Sequence, residues 1–112
     1  MSDDWETPDW LKDLIYDAYS INLDPCPLNG TGGLDLIWEG NVYVNPPFSD
    51  IQPWVEKAIR SPCKTIMLLP VRPSRPWWDL IKEYKILWLP RIRFKGAKGN
   101  HREEMCLVII DE

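Results

Sequence analysis

Three short strand-like runs in this 112-residue chain are each followed by a proline within two residues, and they are the feature that most constrains its fold. The runs and the residues that follow them are 21–23 with Asp24-Pro25, 42–44 with Asn45-Pro46-Pro47-Phe48, and 65–69 with Pro70-Val71-Arg72. Proline lacks a backbone N–H and has a fixed φ, so a central strand ends where proline begins. We expect three strands whose carboxyl ends lie along one sheet edge, which is where open α/β sheets bind ligands.

Helical patterns alternate with these strands. Apolar residues recur at helical spacing over about 8–20, 51–60 and 74–84, and further strands are expected at 86–89, 92–95 and 105–110. The alternation predicts an α/β fold with a mostly parallel sheet and helices on its faces. The last two strands are joined too tightly for a helical crossover, so they are predicted to form a C-terminal antiparallel hairpin.

The loop Asn45-Pro46-Pro47-Phe48 has a composition suited to a binding site. Two successive prolines make it stiff, so the Asn45 side-chain oxygen and the carbonyls of Asn45 and Pro46 are fixed hydrogen-bond acceptors. Phe48 adds a flat apolar surface. A planar heterocycle with an exocyclic amino group needs acceptors for its two hydrogens and a ring on which to stack. The alternative is a tight turn that binds no ligand.

Charge is divided unevenly along the chain. Residues 1–50 carry ten acidic residues against Lys12, whereas residues 72–102 carry nine Lys and Arg against Asp79 and Glu83. A patch of one sign attracts an anionic partner, although a solvated surface remains the alternative. Candidate phosphate contacts are Arg72, Arg75, Arg91, Arg93, Lys95, Lys98 and Arg102. Trp77 and Trp78 lie among them, and one of the two is expected outside the core because neighbouring residues do not share a helix face.

The cysteine and histidine content argues against several classes of site. Three cysteines without a CxxC pair and a single histidine, His101, do not suit a zinc site, so no metal is expected. The cysteines are interpreted as buried and reduced, which is typical of the cytoplasm. The acidic N-terminus does not resemble a signal peptide, and no apolar run approaches the roughly 20 residues that span a bilayer, so no membrane association is expected.

Several segments occur in an order that resembles a known family. They are Trp5-Glu6-Thr7-Pro8, Leu23-Asp24-Pro25-Cys26, Gly33-Leu34, Trp38, Asn45–Phe48, Leu69–Arg72, Trp77-Trp78 and Arg91–Phe94. Over about residues 5–110 the series is similar to the small phage-type DNA N6-adenine methyltransferases of the Dam family. The resemblance implies a reduced Rossmann-like class I methyltransferase fold, S-adenosylmethionine as cofactor and DNA as substrate. It also implies one minimal domain, residues 1–112, without a separate target-recognition domain, and the host cytoplasm if the gene is viral.

The resemblance also assigns roles to individual residues. Asn45, Pro46, Pro47 and Phe48 would form the catalytic loop for the exocyclic N6 of adenine. The cofactor would be flanked by Trp5, Thr7, Pro8, Asp24, Pro25 and Cys26, with Asp24 facing its ammonium group, and Asp35 is a candidate for its ribose. A helix cap at Thr7-Pro8 and a turn at Asp24-Pro25 are the structural alternatives.

The chain departs from the family pattern where the cofactor is expected. A Gly-x-Gly loop commonly follows the first strand, whereas here the glycines come later, at Gly30, Gly32 and Gly33. This shortened cofactor half leaves open that a second subunit completes the pocket, as in a homodimer. It also leaves open a non-catalytic nucleic-acid-binding relic of the fold. Cytosine N4 or an RNA base is a further alternative substrate.

Overall fold

The computed structural model describes residues 6–26 and 32–111, and within them helices and strands largely alternate. The elements are α1 (Asp9–Tyr19), a 3₁₀ turn (Gly33–Asp35), β1 (Asn41–Val44), α2 (Gln52–Arg60), β2 (Lys64–Pro70), α3 (Pro76–Ile81), β3 (Lys85–Trp88) and β4 (Met105–Ile110). The predicted α/β class is confirmed. In that part of the chain no helix is both long and apolar enough to cross a bilayer. Trp5, for which a cofactor contact is predicted, lies outside the described residues.

The strands form one mixed sheet in the order β1-β2-β4-β3. β1 and β2 are parallel, with Val44 opposite Met67, and Leu23 adds a parallel bridge to Val42. β4 is antiparallel to both β2 and β3, so the prediction of a mostly parallel sheet is wrong. A parallel return to the sheet needs a long crossover that is usually a helix, and the chain between β3 and β4 forms no helix.

The C-terminal strand pairs with β3 rather than with residues 92–95. The strand predicted at 105–110 is confirmed as β4. Ile92 and Phe94 are buried while their neighbours are exposed, which is the alternation of a strand. Their segment bonds elsewhere, however, since Lys95 N donates to the carbonyl of Glu6. The predicted hairpin between 92–95 and β4 is therefore wrong, because residues 92–95 form a packed loop.

Strands β2 and β4 occupy the centre of the core. Every residue from Thr65 to Pro70 and from Met105 to Ile110 is buried, which explains why both strands appear in the sequence as continuous apolar runs. Trp77 and Trp78 of α3 are also both buried, at 5% and 9% exposure, so the expectation that one lies outside the core is wrong. Adjacent helix positions are about 100° apart, and two large indole rings both reach apolar neighbours across that angle.

Trp38 attaches the segment before β1 to α2. Its ring is 1% exposed and stacks on Trp54 at 6.0 Å between centroids. Its indole N–H donates to the Gly33 carbonyl at 3.0 Å. A Cβ at Gly33 would collide with the Pro25 carbonyl oxygen and with Trp54, so a larger residue does not fit there. These contacts place residues 33–38 beside Asp24-Pro25.

Candidate active site

The three predicted strand ends lie along one edge of the sheet. Because β1 and β2 are parallel and Leu23 is bridged in parallel to β1, their carboxyl ends point the same way. Asp24-Pro25, Asn45–Phe48 and Val71-Arg72 follow these ends directly. The predicted grouping is confirmed, and it lies where open α/β sheets bind ligands.

Asn45 is held on one side by two buried hydroxyl groups. Its side-chain Nδ2 donates to Thr7 Oγ1 at 3.4 Å, and Thr7 Oγ1 lies 2.6 Å from the Tyr43 hydroxyl. Thr7 and Tyr43 are 5% and 2% exposed. The N-cap of α1 is Pro8, and within the described chain no side-chain hydrogen bond caps this helix. The helix-cap interpretation of Thr7 is therefore wrong, because its hydroxyl faces the tetrapeptide instead.

Asp24 lies beside this pair, among tyrosines. Its Oδ1 accepts from Cys26 N at 3.1 Å, and its carboxylate is hydrogen-bonded to the Tyr16 hydroxyl. Burial raises the pKa of Asp24, and the bond from Cys26 partly offsets this effect. Burial and the nearby Asp24 raise the pKa of Tyr16 to about 12, and burial raises the pKa of Tyr43 as well. Both tyrosines therefore stay protonated at neutral pH.

The structure brings some of the predicted cofactor residues together. Thr7, Asp24 and Cys26 lie around Tyr43, on the side of Asn45 that faces α1. Pro8 and Pro25 are buried next to them in the chain. Asp35 is exposed in the 3₁₀ turn that packs against Pro25. Their contacts with a cofactor stay predictions.

Phe48 is largely covered by its neighbours. It is 8% exposed, and the edges of Phe94 and His101 approach it at 6.0 and 5.6 Å between ring centroids. The guanidinium carbon of Arg72 lies 5.6 Å from the ring centroid, which is cation–π distance. A base that stacks on Phe48 must therefore displace one of these three side chains.

Arg72 joins the tetrapeptide to the end of the loop between β3 and β4. It forms a two-point ion pair with Glu103, at 2.7 Å from Nε and 2.7 Å from Nη2, and donates from Nη1 to the Phe48 carbonyl at 3.1 Å. Glu103 also contacts His101, whose Nε2 lies 3.5 Å from Glu103 Oε1. Sequence reasoning missed Glu103, since no motif marks it, and did not place His101 beside the tetrapeptide. The single signal for Glu103 is a change of charge sign at the end of a basic segment.

The other predicted phosphate contacts are exposed, and several also stabilise the loop. Arg91 donates to the carbonyls of His101 and Arg102, and Arg93 donates to the carbonyl of Ala97. Lys95 forms ion pairs with Glu6 and Asp9. The three remaining residues are Arg75, Lys98 and Arg102. Lys98 and Arg102 line a cavity of about 590 Å³ formed by residues 97–103 and Phe94. Contact of these residues with DNA stays a prediction.

The Arg72–Glu103 pair should make the stability of the fold decrease as the pH falls below neutrality. Hydrogen bonding from Arg72 lowers the pKa of Glu103 below the ordinary value of a glutamate side chain. A carboxylate with a lowered folded-state pKa stabilises the fold above its unfolded pKa, and this contribution is lost as the pH falls through the folded pKa. Urea midpoints measured from about pH 7 to about pH 3 should fall less steeply for Glu103→Gln than for the unmodified chain. Equal slopes would contradict this assignment.

Among the residues that the structure describes, the three cysteines form no metal site. Cys106 is buried, and burial raises its pKa to about 12. Cys26 and Cys63 are half-buried, so the prediction of three buried cysteines holds for Cys106 alone. Across residues 6–26 and 32–111, no group of three or more His, Cys, Asp or Glu side chains is placed to hold a metal ion.

Comparison with known proteins identifies the family. The family model described as DNA N-6-adenine-methyltransferase (Dam) matches residues 1–108, which is nearly the whole chain. A search of curated proteins finds no match. The match covers the carboxyl-edge site described above, including Asn45-Pro46-Pro47-Phe48, Thr7 and Arg72. The chain therefore belongs to the DNA N-6-adenine-methyltransferase (Dam) family.

Proposed function

We propose that this protein transfers a methyl group from S-adenosylmethionine to the exocyclic N6 of adenine in DNA. The observation that carries the proposal is the position of Asn45, which leaves β1 at the carboxyl edge with its amide held by Thr7. Family membership supplies the reaction class. We further propose that the fold is a reduced Rossmann-like class I methyltransferase fold in one domain, residues 1–112.

The catalytic loop acts on the amino group by accepting hydrogen bonds from it. The adenine first leaves the base stack, because N6 is otherwise engaged in the duplex. Asn45 Oδ1 and the Pro46 carbonyl then accept one hydrogen bond each from the amine. This draws the nitrogen lone pair out of conjugation with the ring and fixes its direction, and such positioning accounts for a large share of catalysis. Pro47 keeps the loop stiff, and Phe48 supports the base.

The residues around Asp24 fit a cationic cofactor. A half-buried carboxylate whose pKa is raised by burial is stabilised by a nearby positive charge, such as an ammonium group. Bound S-adenosylmethionine would supply the electrophilic methyl group. Thr7, Pro8, Asp24, Pro25 and Cys26 would hold it, Trp5 would contact its methionine or adenine part, and Asp35 would bind its ribose. Completion of this pocket by a second copy of the chain is also proposed, and sedimentation with and without cofactor tests it.

A non-catalytic nucleic-acid-binding protein is the second candidate function. The coverage of Phe48 by Arg72, Phe94 and His101 favours it, because little of the ring is exposed to a base. The two functions differ in cofactor binding. Calorimetry with S-adenosylmethionine, in the presence of DNA, should show binding if the protein is an enzyme and none if it is a relic.

One experiment tests the proposed activity and its product together. The protein is incubated with unmethylated DNA and cofactor labelled in the methyl group, and the DNA is digested to nucleosides. Label in N6-methyl-2′-deoxyadenosine supports the proposal. Label in N4-methyl-2′-deoxycytidine corrects the target base, and label that appears only when RNA replaces DNA corrects the substrate. Absence of label with both DNA and RNA contradicts the enzyme assignment.

Thr7→Val should lower the turnover number more than the affinity for cofactor. The substitution keeps the shape of the side chain but removes the oxygen that accepts from Asn45 Nδ2, so the amide is less firmly oriented. We expect kcat to fall about tenfold, with the Kd for S-adenosylmethionine changed less than about twofold. Thr7→Ser is the matched control and should retain most of the activity. A large rise in Kd with unchanged kcat would instead show that the Thr7 hydroxyl itself binds the cofactor rather than orienting Asn45.

A further inference from the structure

Arg72 uses every nitrogen of its guanidinium group within the protein. Nε and Nη2 bind the two carboxylate oxygens of Glu103, and Nη1 binds the Phe48 carbonyl. The side chain is 22% exposed, and its cationic carbon lies over the Phe48 ring. A guanidinium in a two-point pair has a fixed plane, so it holds whatever its third nitrogen binds. Three of the five N–H groups of the guanidinium are engaged in these contacts.

Glu103 connects Arg72 to the part of the loop between β3 and β4 that carries Lys98 and Arg102, which we call the basic loop. It belongs to the same segment as Lys98 and Arg102, the candidate DNA contacts around the cavity. His101, from that segment too, lies against both the Phe48 ring and Glu103. The backbone supports the arrangement, since Val71 N donates to the Glu104 carbonyl at 2.9 Å. The basic loop and the tetrapeptide are therefore joined through one ion pair.

We propose that Arg72 and Glu103 form a clamp that positions Phe48, and that Arg72 is not a phosphate contact. The inference rests on the proposed function, in which Phe48 supports the target base. The clamp fixes both the carbonyl and the ring of Phe48, so the end of the tetrapeptide moves with the loop that carries Lys98 and Arg102. Contact of that loop with DNA is thereby transmitted to Phe48.

Measurements of kcat and of the Kd for DNA on substituted proteins distinguish a clamp from a phosphate contact. Arg72→Lys keeps the charge but loses the two-point pair, and Glu103→Gln removes the carboxylate charge. The clamp predicts that each lowers kcat by on the order of tenfold to a hundredfold. It also predicts an unchanged Kd for DNA and an unchanged dependence of Kd on salt. Arg60→Gln, an exposed change at the end of α2, is the control and should leave kcat and Kd unaltered.

A phosphate contact at Arg72 gives the opposite pattern. Arg72→Gln would then weaken DNA binding and reduce the salt slope by about one, while Arg72→Lys would keep most of the activity. Glu103→Gln would tighten DNA binding by removing a negative charge. That set of results overturns the clamp.

Exchanging the two charges separates positioning from simple stability. The double variant Arg72→Glu with Glu103→Arg can form the ion pair again, but its guanidinium starts from position 103, in the loop before β4, and should no longer lie over Phe48. We expect the melting temperature to recover relative to the single variants Arg72→Glu and Glu103→Arg, while kcat stays reduced. Recovery of both quantities would show that the pair is merely structural and would overturn the proposal.

Amide exchange tests the clamp without relying on turnover. Asp50 N donates to the Pro47 carbonyl at 3.1 Å, so its exchange rate reports on the order of the tetrapeptide. Arg72→Lys and Glu103→Gln should each speed exchange at Asp50 by about tenfold or more, with Arg60→Gln unchanged. Unaltered exchange in both variants would overturn the clamp. If the unmodified protein transfers no methyl group, the proposed function fails, and exchange at Asp50 still decides the clamp.

Discussion

Replacing Asn45 with alanine should lower methyl transfer to DNA by about 10³-fold and leave the protein folded. The variant loses the Oδ1 acceptor that we assign to the amino group of the target base. It also loses the Nδ2 donor to Thr7, a contact of 3.4 Å that contributes little to stability. The measurement is the initial rate of label incorporation into DNA at saturating cofactor, with the urea midpoint measured in parallel.

Asn41→Ala is the matched control for Asn45→Ala. Asn41 is the first residue of β1, the strand that Asn45 follows, and its Nδ2 donates to the Ser20 carbonyl at 3.3 Å. The same atoms are thus removed at the opposite end of β1, and activity should stay within about threefold of the unmodified protein. If Asn45→Ala methylates DNA at the normal rate, the assignment of the catalytic loop is lost. If Asn45→Ala unfolds while Asn41→Ala does not, Asn45 serves the fold instead.

Replacing Trp38 with alanine should destabilise the protein by about 3–5 kcal/mol. The indole ring is 1% exposed, stacks on Trp54 and lies within 5.8 Å of the Lys57 amine. Its removal leaves a cavity and takes the indole donor away from the Gly33 carbonyl, which then keeps only its bond from Leu36 N. Domains of this size have about 5–15 kcal/mol of total stability, so a large part would be lost. Chemical denaturation followed by circular dichroism measures the change.

Two further tryptophan substitutions give this prediction its controls. Trp38→Phe keeps most of the packing and loses the N–H, so it should cost about 1–3 kcal/mol. Trp88→Ala removes the same side chain from an exposed position, at 62% exposure, and should change stability by less than about 1 kcal/mol. Equal denaturation midpoints for Trp38→Ala and Trp88→Ala would contradict the role of Trp38 in joining residues 33–38 to α2.

Local sequence signals were sufficient for most elements of the fold. Strand β4 was predicted with its observed bounds, and β1, α2 and β2 were predicted to within a residue or so. The strand predicted at 92–95 failed because burial of Ile92 and Phe94 in a packed loop produces the same alternation as a strand. Periodicity reports which side chains are buried. It does not report where the backbone hydrogen bonds go.

The sequence by itself determined the candidate chemistry, and only the tertiary structure decided which residues surround it. Prolines and periodicity act over a few neighbouring positions, so the stiff loop after β1 and its shared edge with Asp24-Pro25 could be predicted. The order of the strands, with β4 inserted antiparallel beside β2, required the whole sheet. Thr7 meets Asn45 across 38 positions and Arg72 meets Glu103 across 31, and no local preference acts over such separations. These contacts arise because packing of the core brings distant segments to one edge, where Arg72 faces Phe48 rather than solvent.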